Sequence, residues 1–415
     1  MNKRFPMMPV AATGEVQGGR QRSPHMIEGR VVPYLRVANV FDGYIDFNDI
    51  NEMPFRQQEI ETFRLRPGDI LLNEGQSVEL VGRCAMYADG PADCCFQNTL
   101  IRYRAGPQTD ANFAIQLFRY CQAIGIFSRI AVKTNSIAHL GVSRFAELEL
   151  PFPLLREQRK IAEILRTWDE AIEKLEALRA AKLRRHRALT HSLVFGTRQL
   201  DRFRTTDEVA AHRWFTLPAT WGIKPIGKLA REISERNGDG EQHEVLSCSK
   251  YEGFVRSLEY FKKQVFSADL SGYKKIWRGD FGFPSNHVEE GSIGLQNLTD
   301  VGVVSPIYTV FRFAPEKVDA DYAFAVLKTG LYRHIFEVST SASVDRRGSL
   351  RWSEFSKLPF PLPSLEEQRA IAEVLRTAQT DLDALNTEIE ALTRQKRGLM
   401  QKLLTGEWRV MVEAD

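Results

Sequence analysis

Glu157–Thr167 reads EQRKIAEILRT, and Glu367–Thr377 reads EQRAIAEVLRT. Nine of these eleven positions are identical at an offset of 210 residues, and the match runs without a gap to Gly196 and Gly406, with 16 identities in 40. Upstream, Leu150–Pro153 and Leu358–Pro361 both read LPFP, at an offset of 208. A repeat on this scale means one structural unit built twice, and it takes precedence over any local pattern. Fainter echoes extend it. Arg66-Pro67-Gly68-Asp69-Ile70 faces Trp277-Arg278-Gly279-Asp280-Phe281, Leu100-Ile101-Arg102-Tyr103 faces Val310-Phe311-Arg312-Phe313, and Asp110–Ala114 faces Asp319–Ala323. The order is globule, helix, globule, helix. Because the helices stay alike while the globules diverge, the helices do one job twice and the globules share a frame but differ in detail.

The repeated stretch Glu157–Phe195 holds no Gly and no Pro and is rich in good helix formers. Leu165, Trp168, Ile172, Leu175, Leu189 and Leu193 fall on a three-four spacing, as do Leu375, Ala378, Leu382, Leu385, Ile389, Leu392, Leu399 and Leu403. Sustained over heptads, that seam predicts a coiled coil. Ser364-Leu365-Glu366-Glu367 after Pro363 predicts a capping-box start. Gly196 and Gly406 stand where a helix-ending glycine belongs. Such a helix is roughly 60 Å long, too long for the core of one globule. Its natural partner is the other copy, laid antiparallel about a pseudo-two-fold axis as a spacer. Arg179, Lys182, His186 and Lys396 interrupt the seam and read as register-setting polar positions, with a further partner near this end as the other reading.

The segments 1–150 and about 207–357 mix strand-like runs (VVPYLRVANV, GDILL, TLIRYR) with amphipathic helical runs (DANFAIQLFRYCQAIG, DADYAFAVLKTGLYRHIF). The fold class expected is therefore α+β, with two such domains each followed by a long helix. The division is 1–150 for the first globule, 151–200 for the first helix, 201–357 for the second globule and 358–415 for the second helix. A 415-residue chain suits two to four domains, and 43% hydrophobic residues suffice for cores. A formal net charge of +3 permits nucleic-acid binding without requiring it. The five cysteines, Cys84, Cys94, Cys95, Cys121 and Cys248, show no zinc-ligand spacing and predict buried thiols in a reducing cytoplasmic setting. The N-terminal residues carry no signal-like apolar stretch and no run of about 18 apolar residues occurs, so no membrane span is expected.

Gly222-Ile-Lys-Pro-Ile-Gly227-Lys228 imitates a phosphate-binding loop, but Leu229 stands where Ser or Thr should hold magnesium, and Pro225 breaks the loop. No GxGxxG, no HExxH, no amino-methyltransferase tetrapeptide and no metal-ligand spacing of the histidines is found. No catalytic residue and no bound metal or cofactor is assigned. Candidates for DNA contact are Arg20, Gln21 and Arg22; Lys133, Asn135 and His139; Lys262 and Lys263; Lys274 and Lys275; and Arg346 and Arg347. Cations on loops attract phosphates, and Arg, Asn, Gln and His can read base edges.

Two divergent globules, each followed by a near-identical helix opening L-P-x-P, then E-Q-x-x-I-A-x-x-L, resemble the specificity (S) subunit of type I restriction–modification systems. Leu150–Leu165 and Leu358–Leu375 carry that signature, the second with two inserted residues. Leu217-Pro218-Ala219-Thr220-Trp221-Gly222 and Pro33–Val40 resemble the family's usual domain tracts. The first globule departs in lacking an LPxxW-like start, which predicts a rebuilt or missing first strand. The resemblance implies that each globule is a target recognition domain reading one half of an asymmetric, split double-stranded DNA sequence. It implies that the coil sets the unread spacer, and that two methyltransferase (M) subunits dock on the chain, with restriction (R) subunits where the system has them. S-adenosylmethionine, ATP and magnesium would then belong to those partners, and the chain itself would catalyse nothing. A coiled-coil scaffold that never touches DNA is the alternative.

Overall fold

The computed structural model describes residues 5–21, 28–238, 242–340 and 349–412. It divides into two compact units, Met1–Ala177 with Thr387–Asp415, and Leu178–Asn386. The long helices run unbroken over Leu155–Val194 and Leu365–Leu404, 40 residues each, so each contributes to both units. Among the described residues no helix is long and apolar enough to cross a membrane.

In the first unit a four-stranded antiparallel sheet runs in the order Gly14–Gly18, Leu100–Ala105, Ile70–Asn73, Cys84–Met86. Alternate residues of a strand point to opposite faces. Ile70 and Leu72 accordingly enter the core beneath the helix Ala111–Ala123, while Leu71 enters a second core with Leu35 and Phe96. A second sheet orders Asn51–Phe55, Arg30–Leu35 and Cys95–Phe96, the last pair parallel.

The second unit repeats this frame. Its first sheet orders Ala230–Ile233, Tyr308–Phe313, Phe281–Pro284 and Gly294–Leu295. Its second orders Gly253–Arg256, Glu244–Ser249 and Val301–Val304, again with one parallel pair, and adds an edge strand, Lys274–Trp277. The Gly-Asp echo has a physical cause. Gly68 (φ +91°) and Gly279 (φ +88°) take left-handed conformations that glycine adopts without strain. The buried Asp69 and Asp280 then accept from the backbone N–H of Arg66 (2.7 Å) and Trp277 (2.9 Å). Asp69 also pairs with Arg104 at 2.7 Å, and Asp280 with Arg312 at 2.5 Å. Ile70 lies opposite Tyr103, and Phe281 opposite Phe311, so Arg104 is the structural equivalent of Arg312. The sequence match of Arg102 with Arg312 is therefore two residues out of register. It followed hydrophobic likeness, whereas the ladder follows the aspartate–arginine pair.

Asp110 and Asp319 cap equivalent helices through Phe113 N–H and Tyr322 N–H, each at 3.0 Å. The run after Asp319 is two helices rather than one, Ala320–Leu327 and Gly330–Ser339, because the Thr329 hydroxyl caps a new start at Tyr332 N–H. The first globule's opening strand is present: Met7–Pro9 pairs with Glu149–Pro151 as Gly222–Pro225 pairs with Pro359–Leu362. Of the two expectations, a rebuilt or a missing first strand, the missing one is corrected. Gly222–Lys228, the imitation phosphate loop, is that second strand followed by a single turn around the buried Ile226.

Within each unit the long-helix segments pack antiparallel. In the first, Glu157 meets Arg409 (2.6 Å) and Asp169 meets Lys396 (2.5 Å); Leu165 shares a core with Leu403. In the second, Lys182 pairs with Asp381, Gln199 meets Glu367 (3.2 Å), and Leu193 shares a core with Leu375. Every seam position named above is buried or half-buried. Lys396 is buried and Lys182 and His186 are half-buried, but Arg179 is exposed and off the seam. Gly196 and Gly406 end the helices at φ +64° and +74°, and a Cβ at Gly196 would meet Pro218 at 2.4 Å.

Candidate nucleic-acid interface

Identical glutamate and glutamine side chains lock each globule to its long helix. Gln158, buried, accepts from Asp110 N–H (2.9 Å) and donates to the carbonyls of Gln108 (3.1 Å) and Pro153 (2.8 Å). Gln368 makes the same three bonds, from Asp319 N–H (2.9 Å) and to Lys317 (3.1 Å) and Pro363 (3.0 Å). A primary amide offers both an acceptor and two donors, which this loop-to-helix clip requires. Glu157 and Glu367 receive the chain arriving from the other helix. Glu157 pairs with Arg409, and Glu367 accepts from Trp221 Nε1 (3.1 Å) and Gln199. Burial raises the Glu367 carboxyl above its ordinary range. Ser364 does cap Glu367 N–H at 3.2 Å, but the Glu367 carboxylate is spent on Trp221 and Gln199, so the reciprocal half of the expected capping box is diverted. Sequence reading flagged these residues as a signature without seeing that they bind the globule.

On this common frame the outer residues differ. Glu15 lies beside Arg104 in one globule, while the equivalent Arg231 lies beside Arg312 in the other, a reversal of charge at one place in the sheet. Trp277 and Arg278 replace Arg66 and Pro67 on the glycine–aspartate turn.

The candidate DNA contacts separate into two kinds. Lys133 and Asn135 are exposed on the hairpin Val132–Lys133 and Ala138–His139, which extends a strand from Gly75–Gln76. Half-buried His139 lies on the same hairpin, its Nδ1 3.1 Å from Glu74 Oε2. Exposed Lys262 and Lys263 follow a short helix ending in exposed Tyr260 and Phe261, with Lys262 at φ +52°. Gln21 is exposed. These side chains can reach a duplex.

Arg20 cannot do so in this arrangement. It is 5% exposed, bound to Glu59 at 2.9 Å, and its guanidinium lies 4.5 Å over the Phe55 ring, so it is a packing residue and not a loop cation. Lys274 and Lys275 sit on the edge strand, not a loop. Lys274 donates to the Tyr308 carbonyl at 2.6 Å, and burial lowers its pKa; Lys275 lies 3.7 Å from Glu235. Arg22, Arg346 and Arg347 lie outside the described residues. Sequence reading missed the exposed Lys250 and Tyr251, the latter 80% exposed, at a turn signalled only by Gly253. It also missed a surface grouping of His287, Glu289 and Glu290, where His287 Nδ1 already lies 3.2 Å from Glu290. Cys84, Cys94, Cys95 and Cys121 are buried and Cys248 is half-buried. Burial pushes Cys94, Cys95, Cys121 and Cys248 up to about 12, which makes poor nucleophiles.

Comparison with known proteins agrees with this architecture. The chain is 24% identical over 395 residues to the putative type I restriction enzyme MjaX specificity subunit of Methanocaldococcus jannaschii, covering 91% of this chain and 87% of that protein. It is 24% identical over 301 residues to the MjaVIII specificity subunit of the same organism, covering 68% of each. A type I restriction–modification S subunit from M. genitalium shares the fold (TM-score 0.52, 16% identity, 96% of each chain). So does a chain from a structure on complex assembly and conformational transition of the type I R-M system (TM-score 0.57, 15% identity, 98% of each). Residues 24–183 and 275–394 match the family described as type I restriction modification DNA specificity domain, more than half the chain, and the protein belongs to that family.

Proposed function

We propose that this chain is the sequence-reading S subunit of a type I restriction–modification complex. Each globule takes one half of an asymmetric, bipartite site in double-stranded DNA, and the paired helices fix the unread spacer. The observation that carries this reading is one frame built twice with different outer residues, typified by Glu15 against Arg231, on helices that share one opening sequence. A shared frame poses the two surfaces alike, and their different side chains suit different base edges. The exposed Lys133 and Asn135 in one globule and Lys262 and Lys263 in the other are the contacts proposed on each surface.

The repeated helix openings, identical at nine of eleven positions, suit a partner that binds twice, in keeping with two methyltransferase subunits, and restriction subunits where the system has them. On this reading S-adenosylmethionine, ATP and magnesium act in those partners, the assembly works in the cytoplasm, and this chain contributes recognition without catalysis. Exchanging residues 1–150 for another domain of the family tests it. One half of the methylated sequence should change; a change in both halves, or in neither, contradicts independent readout.

A further inference from the structure

The run Arg179–Arg187 of the first long helix, RAAKLRRHR, holds five Arg and Lys in nine positions and no acid. Lys182 turns to Asp381, while Arg179, Arg184, Arg185 and Arg187 are exposed. The repeat-equivalent run 389–397, IEALTRQKR, holds three Arg and Lys and one acid, and only three positions stay identical: Ala181 with Ala391, Arg184 with Arg394, and Arg187 with Arg397. Here the buried polar role passes to Lys396. Arg394 and Arg397 are also exposed, and among the described residues none of the four repeated arginines makes an ion pair. Each pair is spaced i, i+3 and so shares one helix face.

Identity at Leu175 and Leu385 needs no outside cause, since both pack in the seam. An exposed arginine that touches no acid contributes little to folding, so its repetition in both copies points to an anion that each repeat meets. We infer that Arg184 with Arg187, and Arg394 with Arg397, clamp backbone phosphates of the duplex that the chain reads. This rests on the DNA-reading function proposed above. Three features favour phosphate over an acidic protein surface. The acid-free run adds cations beyond the repeated pairs, which suits a polyanion carrying about one charge per 1.7 Å. The guanidinium fork matches phosphate geometry. The backbone also offers both repeats the same chemistry even where the base sequences differ.

The test uses the full chain assembled with its methyltransferase partner. Binding to a duplex carrying the methylated motif is measured from 50 to 200 mM salt for wild type and for R184Q/R187Q, R394Q/R397Q, the four together, and the fourfold Arg→Lys variant. Each lost phosphate contact should reduce the slope of log K against log salt by about 0.9, so each double variant should lose nearly 2 and the fourfold Gln variant nearly twice that, with Lys restoring most of it. The methylated motif should stay the same. An unchanged slope in variants that assemble normally overturns the inference while leaving DNA reading intact. Loss of methyltransferase from the complex in size-exclusion chromatography, with an unchanged slope for what remains, assigns the arginines to protein docking and also overturns it. A wild-type complex that assembles but does not bind the duplex refutes the underlying DNA-reading function itself.

Discussion

Replacing Gln368 by Ala tests the clip that joins globule to helix. The side chain is fully buried, and its loss leaves Asp319 N–H and the Lys317 and Pro363 carbonyls without their partner. A buried polar group left unpaired costs on the order of 1–3 kcal/mol, so three together cost about 3 kcal/mol even where water relieves part of the loss. For a unit of this size, that corresponds to a fall of about 6–12 °C in Tm. Four of the six tryptophans, Trp214, Trp221, Trp277 and Trp352, lie in the second unit, so thermal unfolding followed by tryptophan fluorescence reports chiefly on it, with Trp168 and Trp408 reporting the first. Gln379→Ala is the matched control. Gln379 is exposed and, among the described residues, its side chain bonds to Asp383 on its own helix, and its loss should change stability by less than about 0.5 kcal/mol. Gln158→Ala should repeat the large effect in the first unit, since it breaks the same three bonds. If Gln368→Ala shifts Tm no more than Gln379→Ala does, the reasoning that the repeated glutamine locks globule to helix is wrong.

Asp169→Ala strands Lys396, only 7% exposed, beside Arg119, and should cost about 3 kcal/mol in urea unfolding. Asp381→Ala breaks an exposed pair with Lys182 and should cost under about 0.5 kcal/mol; equal costs would contradict the burial argument. Burial raises Glu367 above its ordinary 4.5, so the folded state keeps this proton to higher pH than the unfolded chain. The resulting stabilisation is full below about pH 4.5 and is lost as pH rises through the folded value. Urea unfolding of Glu367→Gln from pH 4.5 to 8 should therefore show the variant gaining on wild type as pH rises, and a constant difference refutes the sign. A heptad inserted within Leu175–Lys182, matched by one within Leu385–Leu392, should change the length of the unread spacer in the methylated motif; unchanged spacing removes the helices from that role.

The internal repeat makes the architecture legible in the sequence alone. The seam leucines, the two helix-ending glycines and the glycine–aspartate turns each announce a local requirement: burial on one face, a left-handed φ, an acceptor under a turn. What escaped depends on partners distant in the chain. Arg20 looks like a loop cation until Glu59 and Phe55 are folded against it, and Lys274 looks free until its strand reaches Tyr308. The two-residue misregister at Arg102 arose because apolar residues flank both arginines, and only the ladder shows which arginine meets the aspartate. The break at Thr329 lies between two apolar-periodic runs, and the cap that makes it forms only when the Thr329 hydroxyl meets Tyr332 N–H.

Modified-base sequencing of genomic DNA from cells co-expressing this chain with its methyltransferase, against cells expressing the methyltransferase alone, decides whether the chain reads DNA. A sequence-reading chain yields a split, asymmetric methyladenine motif that appears only when it is present. A stable complex of the two proteins that yields no new motif would contradict sequence reading and favour a scaffold role.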